Sequence, residues 1–287
     1  MKRKVAILGT ENSHALAFAK LLQEKKYEDL DLVGIYGYDE NANREILDVK
    51  PGIECAERPD AFLGRVDAVI ITARHGTHHY EYGMPYVKAG VPAFIDKPFT
   101  VEMNHARALA AAAEAAGTPL CGGSCLKFAK ELVPLREMLD DPTEDLGGVT
   151  GAWFTAPIDL HNPYGGFFFY TQHLVQMVLR VFGGGIRSVR AARVGDAVTA
   201  LFRYPGFDVT GLYGTEGYSA AIAFRRKTVF AEIRDVVGFY DAELSEFSEM
   251  LETGIMPETY EDLIRPVAVL QALNAAMITG NEIEVRL

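Results

Sequence analysis

Val5-Ala6-Ile7-Leu8-Gly9-Thr10-Glu11-Asn12-Ser13-His14 decides how this chain is read. Four apolar residues stop at a glycine, polar residues suited to a helix cap follow, and a helical pattern runs over residues 13–26 before a second apolar run at 30–36. Strand, tight turn, helix and strand make a βαβ unit. The grammar then repeats. Turn-rich 39–43 and a short helix lead to the apolar run 66–72, a helix over 77–89 stopped by Gly90, a strand at 91–95, an Ala-rich helix over 101–116 ended by Gly117, and a last strand near 120–123. Continuous rather than alternating apolar runs predict a parallel sheet covered on both faces, so residues 1–122 read as a Rossmann-like, doubly wound α/β domain. Such sheets bind ligands beyond the carboxyl ends of their strands, where strand order reverses. The loops 9–13, 37–39, 72–78, 96–99 and 122–125 are therefore the expected ligand side.

The pattern changes after Ser124. A helix over about 127–139 precedes strand-like stretches at 149–157, 186–195, 197–204, 207–213, 218–224 and 228–233, with one helix at about 170–182 among them and two more at 243–252 and 260–278. Short Gly, Pro and Asp turns between these stretches predict an antiparallel meander. Residues 123–287 thus read as an α+β substrate and oligomerisation domain with a largely antiparallel sheet. Its C-terminal helix, about 260–279, is expected to pack back on the first domain. With no repeat or long linker, a close interface and a shared cleft are expected, and a sheet with few covering helices predicts a homodimer or homotetramer through its open face.

Composition narrows the partners. The 287 residues carry 28 Lys+Arg against 39 Asp+Glu, a net charge of −11 with no basic block, which disfavours nucleic acid and anionic membrane surfaces and leaves small molecules. Cys55, Cys121 and Cys125 lack disulfide-framework or zinc spacing and suit a reducing compartment. The apolar run behind the basic start ends too soon for a signal peptide, and no run approaches the ~18 residues of a membrane span. A cytoplasmic protein is the expectation.

The loops carry a resemblance. Thr72-Ala73-Arg74-His75-Gly76-Thr77-His78, Ala89-Gly90-Val91-Pro92, Asp96-Lys97-Pro98-Phe99 and Ala112-Ala113-Glu114-Ala115-Ala116-Gly117 are similar in order and interval to the glucose-fructose oxidoreductase / inositol dehydrogenase (Gfo/Idh/MocA) family. Further on, Gly165-Gly166, His173 and Gly183 fall in register with that family's second motif, and the tail resembles its closing helices. The resemblance implies an oxidoreductase that moves hydride between NAD or NADP and a sugar- or cyclitol-like hydroxyl or ketone. It also implies catalytic roles for Lys97, stabilising charge on the reacting oxygen, and for His173, taking the proton. By the same resemblance, Gly9, Thr10, Asn12, Ser13, Gly37, Asp39, Thr72, His75, His78, Asp96 and Lys97 face the cofactor, and Lys97, Asp159, His161, Tyr170 and His173 face the substrate.

Three positions depart from the family pattern. Read without gaps, Glu11 and His14 stand where the fingerprint's second and third glycines belong; read with a shortened loop, His14 matches a histidine that many members carry just after the fingerprint. Either way the usual pyrophosphate contact is altered, although Asn12 and Ser13 can cap the helix and offer donors to an anion. Gly37 replaces the ribose-binding acid, with Asp39 two residues on and Arg44 the nearest arginine. Phe169 replaces the aspartate one turn before His173, and Gln176 a later one, so His173 needs another partner, with Asp159 one candidate.

The remaining signals have plainer readings beside the functional ones. The spacing of His14, His75, His78, His79, His161 and His173 is no metal signature, so no metal is assigned; a histidine-lined substrate site fits better. Residues 159–164 either cap a helix or touch substrate, while Phe167, Phe168, Phe169 and Tyr170 read first as packing. Besides the dehydrogenase, two functions stay open: a non-redox binding or regulatory protein on the same fold, motivated by Glu11, Gly37 and Phe169, and a metal-assisted lyase or hydrolase.

Overall fold

The chain, as a computed structural model, is described over residues 2–141, 145–234 and 238–287. Strands β1 (Arg3–Leu8), β2 (Leu30–Tyr36), β3 (Glu54–Ala56), β4 (Ala68–Ile71), β5 (Ala93–Asp96) and β6 (Leu120–Gly123) form one parallel sheet in the order β3-β2-β1-β4-β5-β6. The doubly wound reading holds. Residues 5–8 of β1, residues 93–95 of β5 and the whole of β4 are apolar and buried, and β6 is buried throughout, as expected of strands covered on both faces. β3 has no counterpart in the sequence reading, because Glu54 and Cys55 are exposed and the strand is a short edge with no apolar run.

Helices α1 (Ser13–Leu21), α2 (Glu40–Val49), α3 (Thr77–Lys88) and α4 (Met103–Ala116) connect these strands. Side chains cap the first two: Asn12 accepts from the His14 N–H, and Asp39 accepts from the Asn41 and Ala42 N–H groups. Gly117, at φ 64°, closes α4. α1 is shorter than its expected span to residue 26, giving way to a 3-10 turn at Lys25–Tyr27.

The second sheet contains β7 (Val149–Ala156), β8 (Ser188–Val194), β9 (Ala197–Tyr204), β10 (Phe207–Tyr213), β11 (Tyr218–Phe224), β12 (Thr228–Ile233) and β13 (Ile283–Glu284), in the order β12-β11-β7-β10-β9-β8-β13. It is largely antiparallel. It is not a simple meander, however, because β7 inserts between β10 and β11 and runs parallel to β10. Sequence spacing cannot show that insertion, since the expected meander pairs β10 directly with β11. The helix expected over 127–139 is instead two 3-10 turns, Cys125–Phe128 and Lys130–Leu132, followed by α5 (Val133–Asp140). Pro134 explains the break: lacking an N–H, it fits only the first turn of a helix, so the α-helix starts beside it. α6 (Phe167–Phe182) packs on the inner face of this sheet, where Ala152, Phe154 and Ala156 alternate with the more exposed Trp153 and Thr155.

Helices α7 (Phe239–Thr253) and α8 (Tyr260–Thr279) end the helical part of the chain. Two compact units result, Met1–Gly123 with Tyr240–Ile264, and Ser124–Phe239 with Arg265–Leu287. The first unit is thus discontinuous in sequence. Leu244, Phe247 and Met250 of α7 complete the core that Val5, Ile7, Phe18, Ile35, Ile70 and Phe94 begin, with Phe94 and Phe247 edge-to-face at 6.2 Å. Tyr27 adds a polar tie by donating to the Asp241 backbone carbonyl at 2.9 Å.

If α7 is integral to the first unit, Phe247→Ala should cost about 3–5 kcal/mol, the usual range for deleting a buried aromatic ring. Urea unfolding followed by circular dichroism measures it; a loss below about 1 kcal/mol would show that α7 is only laid against that core.

Candidate active site

Strand order in the first sheet reverses between β1 and β4, so the loops after these strands frame the expected ligand crevice. They approach so closely that only glycine fits at position 9: φ is 94°, and a Cβ would collide with the Ala73 backbone. Thr72 locks the approach by donating its hydroxyl to the Gly9 carbonyl at 2.8 Å. Gly37, at the end of β2, is crowded in the same way by the Thr10 side chain, whose hydroxyl donates to Asn43 Oδ1 at 2.5 Å. Asp39 is engaged in capping α2, and Ser13 stands exposed at the start of α1.

Asp96 organises the next loop. Its carboxylate is fully buried, accepting from the Lys97 N–H at 2.7 Å and from Asn12 Nδ2 at 3.1 Å. His14 Nδ1 lies 2.7 Å from Asp96 Oδ2, a close but not straight contact. Burial alone pushes this carboxyl up; the charges of His14, Lys97 and His79 and the His14 contact outweigh it and hold the group below the usual range. His79 ties two loops together, with Nδ1 2.7 Å from the Pro98 carbonyl and Nε2 2.8 Å from the Ala73 carbonyl. It therefore serves the scaffold and does not line a substrate surface. The Lys97-Pro98 peptide is cis, and Lys97 itself is 4% exposed.

Glu11 and the paired histidines form a second group on this edge. Glu11 Oε1 accepts from the Arg74 N–H at 3.0 Å, while Oε2 is buried without a hydrogen bond. Burial raises its pKa against the lowering effect of those backbone bonds and His78. His75 accepts from the Thr77 N–H at Nδ1, 3.3 Å away, and burial lowers its pKa, His78 adding to the effect. His78 stacks on Tyr82 at 5.4 Å.

Within the second unit the focus is His173 on α6, 5% exposed. The Ser124 hydroxyl lies 2.6 Å from its Nδ1, and Tyr170 and Tyr218 flank the ring at 6.0 and 5.8 Å. Burial pushes the Tyr218 hydroxyl above its ordinary range, with Cys125 and Tyr170 adding to it. Phe169 sits one turn before His173, packed on Tyr170 at 4.8 Å and 6.1 Å from Tyr164. Asp159 is engaged in its own turn, accepting from the His161 N–H and Asn162 Nδ2, both at 3.1 Å. His161 is exposed, its Nε2 3.5 Å from Asp196. The sequence reading named His173 and missed Ser124, whose only sequence signal was its place in the last ligand-side loop. Among the described residues, no group of three His, Cys, Asp or Glu side chains could hold a metal ion, and no helix is long and apolar enough to cross a membrane.

The residues fit a dinucleotide at the β1 turn. Gly9 lets the turn pack directly on Ala73, the nine-residue α1 presents its N-terminus, and Glu11 is turned back onto the Arg74 N–H, with burial raising its pKa.

Comparison with known proteins agrees. Residues 3–123 match the GFO_IDH_MocA model, described as an oxidoreductase family with an NAD-binding Rossmann fold. No curated protein matches the chain by sequence. Among solved structures, GenD2 from gentamicin A biosynthesis, in complex with NAD, is 18% identical with a TM-score of 0.86, over 100% of this chain and 97% of its own. Myo-inositol 2-dehydrogenase from Lactobacillus plantarum is 13% identical with a TM-score of 0.84, covering 100% of both chains. The scyllo-inositol dehydrogenase from Lactobacillus casei with bound NAD(H) and scyllo-inositol is 15% identical with a TM-score of 0.81, covering 99% of both. The family resemblance in the sequence is thus confirmed over the first domain, and the likeness of fold extends over the whole chain.

The buried Glu11 predicts a pH dependence. A carboxyl whose folded pKa is raised binds protons more tightly in the folded state, so its contribution falls as pH rises from the ordinary carboxylate range through the raised value. Glu11→Gln keeps an acceptor for Arg74 and should remove that fall, leaving the variant relatively more stable at pH 7 than at pH 4. Urea midpoints of both proteins across this range measure it; parallel pH curves would refute the assignment.

Proposed function

We propose that this chain, whose residues 3–123 carry the NAD-binding Rossmann domain of the GFO_IDH_MocA oxidoreductase family, is an NAD(P)-dependent dehydrogenase of a sugar- or cyclitol-like hydroxyl. The observation that carries the reading is the Gly9 turn at the sheet's switch point, joined through Asn12 and Asp96 to a buried lysine in the next loop. Gly9, Thr10, Asn12 and Ser13 would hold the pyrophosphate end of the cofactor, with Thr72, His75 and His78 on the facing loop. Gly37 presents no carboxylate to the ribose, so NAD and NADP both remain candidates. Bound NAD(P) supplies the hydride acceptor or donor.

Lys97 and His173 are the two groups we assign to the reacting oxygen. An ammonium favours the alkoxide form of a substrate hydroxyl, and an imidazole takes its proton. Asp96 fixes the backbone of Lys97 through the N–H bond, which sets where the lysine stem begins. Tyr170 contributes a ring beside His173 on which the apolar face of a cyclic polyol can rest. The structural neighbours named for inositols motivate the substrate class.

Titration calorimetry with NAD+, NADH, NADP+ and NADPH tests the reading, followed by assays with myo- and scyllo-inositol. At least one nucleotide should bind, and Lys97→Ala should lower turnover by at least about 100-fold. Gly37, which presents no carboxylate to a ribose and is crowded by Thr10, favours a second reading, a non-redox binding or regulatory protein; failure of all four nucleotides to bind would refute the dehydrogenase and favour that reading.

We also propose self-association through the outer face of the second sheet. Trp153 and Phe230 are 37% and 59% exposed there, their rings lie 5.7 Å apart, and they share one cross-strand row, each paired with Ala221. Light scattering should show a dimer or tetramer that Trp153→Glu with Phe230→Glu converts to monomer; an unchanged mass in the double variant would refute this interface.

A further inference from the structure

The oxygen next to the His173 ring belongs to a hydroxyl. Ser124 is fully buried at the start of the second unit, where its Oγ caps a 3-10 turn by accepting from the Leu126 N–H at 3.2 Å. The same Oγ lies 2.6 Å from His173 Nδ1. Its own proton needs an acceptor. Of the two contacts made by Oγ, the Leu126 N–H is a donor, so the acceptor is Nδ1. A neutral imidazole that accepts at Nδ1 carries its proton on Nε2.

We propose that Ser124 is the positioning residue of His173 and that it holds the resting imidazole with its proton on Nε2. The site around the ring agrees with this arrangement. Phe169, one helical turn back, offers no oxygen, and Asp159 is engaged by the His161 N–H and Asn162. Among the described residues, Tyr170 on α6 and Tyr218 on β11 lie beside the ring, and Cys125, on the 3-10 turn that Ser124 caps, acts on the Tyr218 hydroxyl.

A hydroxyl differs from a carboxylate in two ways. It can donate as well as accept, so it serves either tautomer by rotating, whereas a carboxylate admits only the Nδ1–H form. It also brings no charge, so it does not stabilise the imidazolium. The resting Nε2–H form binds an oxygen acceptor. To take a proton at Nε2, the ring must first move its own proton to Nδ1 by exchange with solvent, and the serine must rotate from donor to acceptor. Ser124→Asp should then favour the base-competent form outright.

The inference rests on the proposed role of His173 for its kinetic consequence, but not for the hydrogen bond itself. Two-bond 1H–15N spectra of the whole apoprotein, assigned by loss of the His173 signals in His173→Asn, read the tautomer directly. Wild type should show an unprotonated, hydrogen-bonded Nδ1 and a protonated Nε2. Ser124→Ala should shift Nδ1 and mix the tautomers, while Ser124→Thr restores the wild-type pattern. A protonated Nδ1 in the wild type overturns the proposal, and that result does not depend on any Ser124 variant folding.

Kinetics with myo-inositol and NAD+ separates the two levels. Ser124→Ala, which leaves the ring without its anchor and free to turn, should lower kcat about 10-fold with KM changed less than about twofold, and Ser124→Asp, whose charge stabilises the imidazolium, should move the acidic limb of the kcat profile to higher pH. If His173→Asn leaves turnover intact, the assigned catalytic role fails while the spectra still decide the serine. If His173→Asn abolishes turnover and Ser124→Ala changes neither kcat nor the pH profile, the positioning role fails.

Discussion

One buried carboxylate governs the first half of this molecule. Asp96, at the end of β5, holds the Lys97 N–H, the Asn12 amide and the His14 ring around a single fully buried group. Leaving such a charge unpaired in a protein interior costs several kcal/mol, so its partners are held in place by that penalty as much as by attraction. Through Asn12 the constraint reaches the cap of α1, and through Lys97 it reaches the loop after β5. His79 adds a second brace between the Pro98 and Ala73 carbonyls. Two loops that touch ligand in the proposed function thus share a polar anchor that ligand itself need not touch.

The fold was legible because its strands are physically distinctive. Runs such as Ala68-Val69-Ile70-Ile71 can only be buried on both faces, and Gly90 and Gly117 mark helix ends by their backbone freedom. The short edge strand β3 and the parallel pairing of β7 with β10 were not legible. An exposed three-residue strand carries no periodicity, and which strand inserts beside which depends on contacts far apart in sequence. The 3-10 turns after Ser124 were masked by helical spacing that Pro134 interrupts.

The candidate site divides the same way. Lys97 and His173 stood out through motif order, and Gly9 through its place after β1. Ser124 did not, because serine at a strand end is common and its meaning arises only when α6 brings His173 to it. Conversely, Asp39, Asp159 and His79 attracted attention as polar residues in the right loops, yet each has local work to do: capping a helix, closing a turn, bridging two carbonyls. Polar residues near a ligand edge serve the backbone first, and only the geometry separates those with capacity left for chemistry.

The discontinuity of the first unit bears on how the chain is made. Synthesis proceeds from the amino terminus, so the six strands of the first sheet leave the ribosome before α7 exists, and Ser124–Phe239 must follow before Phe247 can reach Phe94. During that interval the apolar surface around Phe18 and Phe94 is uncovered. A nascent chain in this condition is open to premature association, and its protection depends on chaperones or on the speed of elongation.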